Sequence, residues 1–224
     1  MCVLLQLVLL PLPWQIRRFL LCRLFHYKID KSAKIGMSII MARELVMGPH
    51  SRIQHGVICK AIDRLMLGED SGIANFTFIT GFGSERECFG HFAHVKDRRC
   101  ELILGRSAGI TSRHFVDCNG GVYIDDFATV AGIRSQILTH SIDVYSNRQD
   151  AQPVHIGRYC FVGTGCIILP GSILPDYCVL AAGSVLTKAQ RETSSLYAGV
   201  PAILKKNLDV KNVPYFWRNK RVVD

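Results

Sequence analysis

The sequence predicts an all-β solenoid of stacked coils, on three observations. Five hexapeptides run in unbroken register from Ile156 to Val185: Ile156-Gly-Arg-Tyr-Cys-Phe, Val162-Gly-Thr-Gly-Cys-Ile, Ile168-Leu-Pro-Gly-Ser-Ile, Leu174-Pro-Asp-Tyr-Cys-Val and Leu180-Ala-Ala-Gly-Ser-Val. Their first position is always aliphatic and their fifth always small: Cys160, Cys166, Ser172, Cys178 and Ser184. The same period recurs upstream, from Lys34 onward. Such self-similarity marks a solenoid in which a short strand and a turn repeat. The aliphatic residue fills the core of a flat face, and the small one fits the corner. An ordinary amphipathic strand has period two and does not hold a six-residue register.

A chain of 224 residues with 49% hydrophobic content suits one solenoid with terminal elements. The formal net charge is +9, which favours anionic partners such as an acidic membrane surface or a phosphorylated cofactor. No Lys/Arg run interleaved with aromatics occurs mid-chain, so nucleic acid is not expected as a partner. Of the nine cysteines, Cys160, Cys166 and Cys178 occupy small inward slots, Cys100 and Cys118 lie apart, and no Cys-x-x-Cys pair exists. Buried thiols in a reducing compartment are expected rather than a disulfide framework or a zinc site.

Residues 1–29 form a distinct N-terminal segment. The apolar run from Val3 to Leu12 is too short to span a bilayer, and it lacks the positive leader and cleavage site of a signal peptide. From Trp14, the residues Ile16, Phe19, Leu20 and Leu24 fall at helical spacing with Arg17, Arg18 and Arg23 among them. Two readings stand open. The segment is an interfacial membrane helix whose arginines meet anionic headgroups, or it caps the open end of the solenoid.

The solenoid proper is assigned to residues 30–188. Ile35-Gly36, Met41, Met47-Gly48 and Ile53 keep the spacing of six; the register slips by two and resumes at Leu67-Gly68, Ile73 and Ile79. Residues 82–101 lose the period and gain charge and glycine, which predicts a loop thrown out of the coil. Repeats return at Leu104, Ile110, Val116, Ile124 and Val130. A second excursion covers residues 141–155, leaving directly after His140. Loops on a rigid stack are natural places for a site. In the C-terminal extension, residues 189–224, the sequence predicts a turn at Tyr197–Pro201 and a short helix from Ala202 to Val210.

The stretch from Ile156 to Lys205 resembles the hexapeptide-repeat acyltransferases, in particular maltose/galactoside-type sugar O-acetyltransferases. The resemblance rests on the repeat, on the ending Ala182-Gly183-Ser184-Val185-Leu186-Thr187-Lys188 followed by Ala198-Gly199-Val200-Pro201-Ala202, and on Leu138-Thr139-His140-Ser141 before the second excursion. The block Thr139-His140-Ser141-Ile142-Asp143 is closest to members that acetylate sugars in bacterial surface-polysaccharide assembly. The resemblance implies a left-handed parallel β-helix with short terminal helices and two protruding loops. It also implies a homotrimer with sites between subunits, acetyl-CoA as acyl donor, and a sugar or lipid-linked saccharide as acceptor. The expected location is cytoplasmic, peripheral on the inner face of the membrane if residues 1–29 bind lipid.

His140 is the candidate general base, the role the resemblance gives it, because a neutral imidazole accepts a hydroxyl proton near pH 7. His114, Asp117 and Asp143 are candidates for sugar binding. His114 stands in a slot that wants a small residue, and Asp117 either binds a hydroxyl or orients a histidine. The resemblance places coenzyme A against Phe161, Gly163, Thr164, Ala182, Gly183, Thr187, Lys188, Pro201 and Lys206, while Ile203 departs from the basic residue often found at its position. His50 and His55, five apart, resemble the paired histidines of γ-class carbonic anhydrases, and His91 and His94 form a weaker pair. A zinc hydratase and a non-catalytic scaffold are therefore the competing readings.

Overall fold

The structure is a computed structural model, which describes residues 2–83, 92–220 and 222. Its body is a left-handed parallel β-helix with three faces. On the first face lie strands such as Lys34–Ile35, Arg52–Ile53, Gly72–Ile73, Gly109–Ile110, Thr129–Val130, Phe161–Val162 and Val179–Leu180, all hydrogen-bonded in parallel. The second face carries Phe78–Thr80, Phe115–Asp117, Gln136–Ile137, Ile167–Ile168 and Val185–Leu186; the third carries Glu101–Leu104, Val122–Ile124, Val154–Ile156 and Ile173–Leu174. The longer strands Ile39–Met47 and Ile58–Leu67 bend across the corner between the second and third faces.

Coil length follows from the repeat. Lys34 pairs with Arg52, and Phe161 with Val179, so one turn takes 52 − 34 = 18 or 179 − 161 = 18 residues, which is three hexapeptides. Where Arg52 pairs with Gly72, the turn takes 72 − 52 = 20; one of the two extra residues enters before Ile39 pairs with Ile58, the other at the irregularity after Met41. Ile156, Val162, Ile168, Leu174 and Leu180 all point inward with no exposed area. Burying each such side chain stabilises the fold by about 1.5–3 kcal/mol. The small slots behave as expected: Cys160, Cys166, Ser172 and Cys178 are fully buried, and the Ser172 hydroxyl donates to the Leu186 carbonyl at 3.0 Å. Cys22, Cys59, Cys100, Cys118, Cys160, Cys166 and Cys178 are free thiols. Glycine after the aliphatic residue has a steric cause, since a Cβ on Gly157 would lie 2.7 Å from the backbone nitrogen of Asp176 one coil away.

The N-terminal segment folds as two helices, α1 (Cys2–Leu9) and α2 (Trp14–Leu24), over the open end of the coil. Gln6 is buried and bonds both backbone groups of Ile40, accepting its N–H at 2.8 Å. Arg17 is buried, and its guanidinium donates to the carbonyls of Gly36 and Ser38, each at 2.7 Å. Trp14 Nε1 donates to the Ala33 carbonyl at 3.0 Å. These bonds satisfy the unpaired edge of the first coil, so the helices are a cap. The expectation that Arg17 faces headgroups is corrected: edge carbonyls draw it inward. Leu4, Val8 and Phe19 nevertheless remain 71%, 69% and 64% exposed on the outer side.

Three further expectations need correction. Repeats do not stop at Lys188, because Ser195–Ala198 adds a strand to the first face beside Val179–Leu180. The stretch predicted as helical after Ala202 is instead the antiparallel strand Ile203–Asn207. Its partner is the edge strand Ser195–Ala198, whose free backbone groups outweigh a weak local helix preference. The second excursion is a hairpin, His140–Asp143 against Arg148–Ala151, and the coil resumes at Val154, two residues earlier than the sequence suggested. From Pro214 the chain turns back along the coil. Tyr215 donates to the Cys160 carbonyl at 3.0 Å, and Arg218 lies 3.9 Å over the Tyr215 ring.

Candidate active site

Both excursions leave the coil at the corner between the second and third faces, and His140 stands there. Asp117 ends the second-face strand one coil earlier, which sets its carboxylate beneath the imidazole. His140 Nδ1 lies 2.6 Å from Asp117 Oδ2. The Asp117 side chain is 1% exposed and that of His140 33%.

The buried carboxylate is fully occupied. Its Oδ2 accepts the backbone N–H groups of Thr139 at 2.9 Å and His140 at 3.1 Å. Its Oδ1 accepts the Asn119 amide at 2.6 Å and the Asn119 backbone N–H at 3.2 Å. Burial raises the Asp117 pKa, but the hydrogen bond and charge of His140, with the N–H groups of Thr139 and Asn119, outweigh it and hold the carboxyl below its ordinary value. The His140 imidazole is pushed above its ordinary value by the hydrogen bond to Asp117, against an opposing burial effect. An ionised Asp117 accepts the Nδ1 proton, and Nε2 keeps its lone pair. Such a dyad takes a proton from a hydroxyl and later returns it.

The first excursion is tied to this dyad. Asn119 Oδ1 accepts the Phe82 N–H at 2.7 Å, while Arg98 Nη1 donates to the carbonyls of Asn119 at 3.0 Å and Phe82 at 2.8 Å. The buried Phe92 ring meets the His140 ring edge-on at 6.0 Å. Sequence reasoning missed Asn119 and Phe92. Asn119 carried a signal, an Asn two residues after Asp117 and before two glycines, where an Asx-type turn is natural.

The other expected acceptor-binding residues are placed differently. His114 lies at the opposite corner, between the first and second faces, and is 3% exposed. Its Nδ1 accepts the Ser135 N–H at 3.1 Å and its Nε2 lies 2.9 Å from Thr111 Oγ1, so both nitrogens are used within the coil. Burial lowers its pKa and keeps it neutral. His114 is thus held within the coil corner, away from the excursions and from His140. Asp117 is buried, and both of its oxygens are engaged by Thr139, His140 and Asn119. Asp143 is exposed three residues along the hairpin, where it accepts the Tyr145 N–H at 2.9 Å and the Ser146 hydroxyl at 2.7 Å.

The expected coenzyme A positions fall into separate groups. Phe161 is on the first face, and Gly163, Thr164, Ala182 and Gly183 stack at the corner it leads into. The turn at Gly199–Pro201 joins them, with the Gly199 N–H donating to Ser184 Oγ at 3.1 Å. A cavity of about 640 Å³ runs along the first face, edged by Phe161, Thr129 and Ala131. Thr187 and Lys188 are exposed where the last second-face strand ends. Lys206 is exposed on the terminal strand, apart from Lys188.

Among the described residues, no three His, Cys, Asp or Glu side chains gather around one possible ion position. His50 is exposed in a turn, and His55 Nδ1 accepts the Met37 N–H at 3.1 Å. His94 is exposed, and His91 lies outside the described residues.

No protein-family model matches the chain. In fold it is similar to a hexapeptide-repeat acetyltransferase from Vibrio cholerae, with a TM-score of 0.51 and 20% identity over 64% of this chain and 73% of that one. The same Vibrio cholerae acetyltransferase in complex with acetyl coenzyme A gives a TM-score of 0.51 and 19% identity, covering 64% of this chain and 71% of that one. A galactoside acetyltransferase in complex with coenzyme A gives 0.52 and 19%, over 71% and 72%. At such identities the chain shares with these hexapeptide-repeat acetyltransferases the left-handed β-helix itself.

Proposed function

We propose that the chain is an acyltransferase that moves an acetyl group from acetyl-CoA to a sugar hydroxyl, with His140 as general base, in the assembly of a bacterial surface polysaccharide. One observation carries this reading: a partly exposed imidazole at the base of two excursions, with Nδ1 fixed 2.6 Å from a buried carboxylate. His140 Nε2 takes the hydroxyl proton while the sugar oxygen bonds to the thioester carbonyl carbon. As the carbon–sulfur bond breaks, His140 returns that proton to the departing sulfur. Asp117 stays ionised and stabilises the imidazolium in between. The exposed turns at Thr164 and Gly183, with Phe161 and Pro201 near them, offer backbone amides and apolar surface to a pantetheine arm. Gly183 fits this role, since its Cβ position faces open space. Lys188 and Lys206 supply charge for phosphates. Incubation with acetyl-CoA and a panel of saccharides, reading the free thiol released, tests the reading. No acceptor-dependent thiol from any of them would reject it.

A homotrimer is part of the proposal. The donor-side turns lie at one edge of the second face and the dyad at the other, separated by about 10 Å of strand. A neighbouring copy that brings its donor turns against this chain's dyad completes the site. The outward row on that face supports burial, for Ile58, Phe78 and Phe115 stand in register with Gln136, Ile167 and Val185. The molar mass in solution should be three times 25.0 kDa; a monomer that turns over would exclude shared sites.

The outer side of the helical cap is proposed to rest on an anionic membrane, which suits a lipid-linked acceptor. Residues 1–60 hold nine Lys and Arg and two acidic residues, so 9 − 2 = +7 of the +9 net charge lies at this end. Apolar insertion beside basic charge is the pattern of interfacial binding. No described helix is long and apolar enough to cross a membrane. His140 lies about four coil spacings, ~19 Å, above the cap, within reach of a saccharide on a lipid carrier. The full chain should float with anionic vesicles at low salt and detach as salt rises. The triple variant Leu4→Asp, Val8→Asp, Phe19→Asp should stay behind with its Tm kept. A full-length chain that never floats at low salt ends the membrane reading.

A further inference from the structure

Beside the dyad, a second cavity of about 240 Å³ opens between the two excursions. One wall comes from the first excursion, with Lys96 and Arg99; the other comes from Pro153 and His155 where the second returns to the coil. Gly120 and Ala151 also line it. Both adjoin the catalytic corner: the Gly120 N–H donates to Thr139 Oγ1 at 2.8 Å, and Ala151 pairs with His140 across the hairpin. The cavity is therefore one residue removed from the base.

Its chemistry is that of an anion site. Lys96 and Arg99 are exposed, and neither side chain has a hydrogen-bond or ion-pair partner among the described residues. The His155 ring stacks on Tyr123 at 4.6 Å and 15°, yet its nitrogens also have no partner among the described residues. Three acids lie nearby: Glu101, Asp97 and, on the far side of His155, Asp125, whose charge acts on that ring. Glu101 is buried and accepts the Tyr123 hydroxyl at 2.8 Å, while Asp97 stands on the rim. Two unpaired cations and a stacked imidazole, converging on one cleft, match the several acceptor oxygens of a phosphate ester.

We propose that this cleft binds a phosphate carried by the acceptor, so that the saccharide acylated at His140 is a phosphate-linked sugar rather than a free one. The inference rests on the acyl-transfer reading for its meaning and on the cleft alone for its binding. Two sources carry the same group, a nucleoside diphosphate sugar and a polyprenyl diphosphate-linked sugar, and they differ only in what lies beyond the phosphate.

Calorimetric titration with glucose 1-phosphate and with glucose, without acyl donor, tests the cleft directly. Glucose 1-phosphate should bind at least tenfold more tightly than glucose, and more weakly as salt rises. The double variant Lys96→Ala, Arg99→Ala should lose about tenfold per cation, by the usual worth of a charged hydrogen bond, while acetyl-CoA affinity is unchanged. His155→Gln, which keeps a donor, should lose less than His155→Ala. Equal affinity for the two sugars, or a double variant that binds glucose 1-phosphate as wild type does, would overturn the proposal. The same titration with UDP-glucose and with vesicles bearing a polyprenyl diphosphate sugar assigns the source. Failure of the acyl-transfer reading shows separately, as absence of saturable acetyl-CoA binding.

Discussion

His140→Ala should lower kcat by on the order of 10² or more, the usual worth of a positioned base. Its Tm should fall by no more than a few degrees and its acetyl-CoA affinity should hold. The side chain is a third exposed, so water fills the space left, and Asp117 keeps its bonds to Thr139 and Asn119. The expected donor positions, from Phe161 to Pro201, lie on other turns of the coil. Steady-state kinetics with thiol detection, beside thermal melts, reads all three quantities. A variant turning over near the wild-type rate would remove His140 from the mechanism. One that fails to melt cooperatively calls for His140→Gln, which preserves volume.

Asp117→Asn should also cost on the order of 10² in kcat, and should move the pH profile in a defined direction. As a base, His140 works when neutral, so activity falls as pH drops through its pKa. The hydrogen bond to Asp117 raises that pKa above 6.5. The wild-type acid limb therefore lies above the ordinary imidazole value. Removing the charge lets the limb fall toward or below it, since burial alone lowers the His140 pKa. A loss of rate with an unmoved limb would mean that Asp117 holds the corner together without acting on the base. The asparagine also offers Thr139 and His140 a weaker acceptor, so a modest drop in Tm accompanies the change.

Much of the architecture was legible in the chain. The inward row Ile156, Val162, Ile168, Leu174 and Leu180 is buried as its spacing requires. The period is covalent, and three hexapeptides make a coil whatever else the chain does. The excursions were legible for the converse reason, as residues that break a strict period must leave the stack. The strand Ile203–Asn207 was misread as helix because its strand character comes from the free edge of Ser195–Ala198 and not from its own residues.

The site was half legible. The sequence by itself determined the coil, its length, the inward and outward alternation, and His140 at the exit of the second excursion. Tertiary structure alone decided which residues meet there. Asp117 precedes His140 by 23 residues, a coil of 136 − 115 = 21 residues plus two past the register, so the pairing depends on how many residues each corner absorbs. That count is set by backbone pairing between coils, such as Phe115 with Gln136, and no local pattern carries it. Folding then buried Asp117 against the His140 ring, which holds its carboxyl below the ordinary value, and tied up both nitrogens of His114 inside the coil. At the N-terminus the same logic holds. The unpaired carbonyls of Gly36 and Ser38 drew Arg17 inward, so the helices cap the coil while their apolar outer residues remain exposed. Sequence fixes which groups exist and how they repeat; only the fold fixes which of them lose water together, and that loss decides their charge, partners and role.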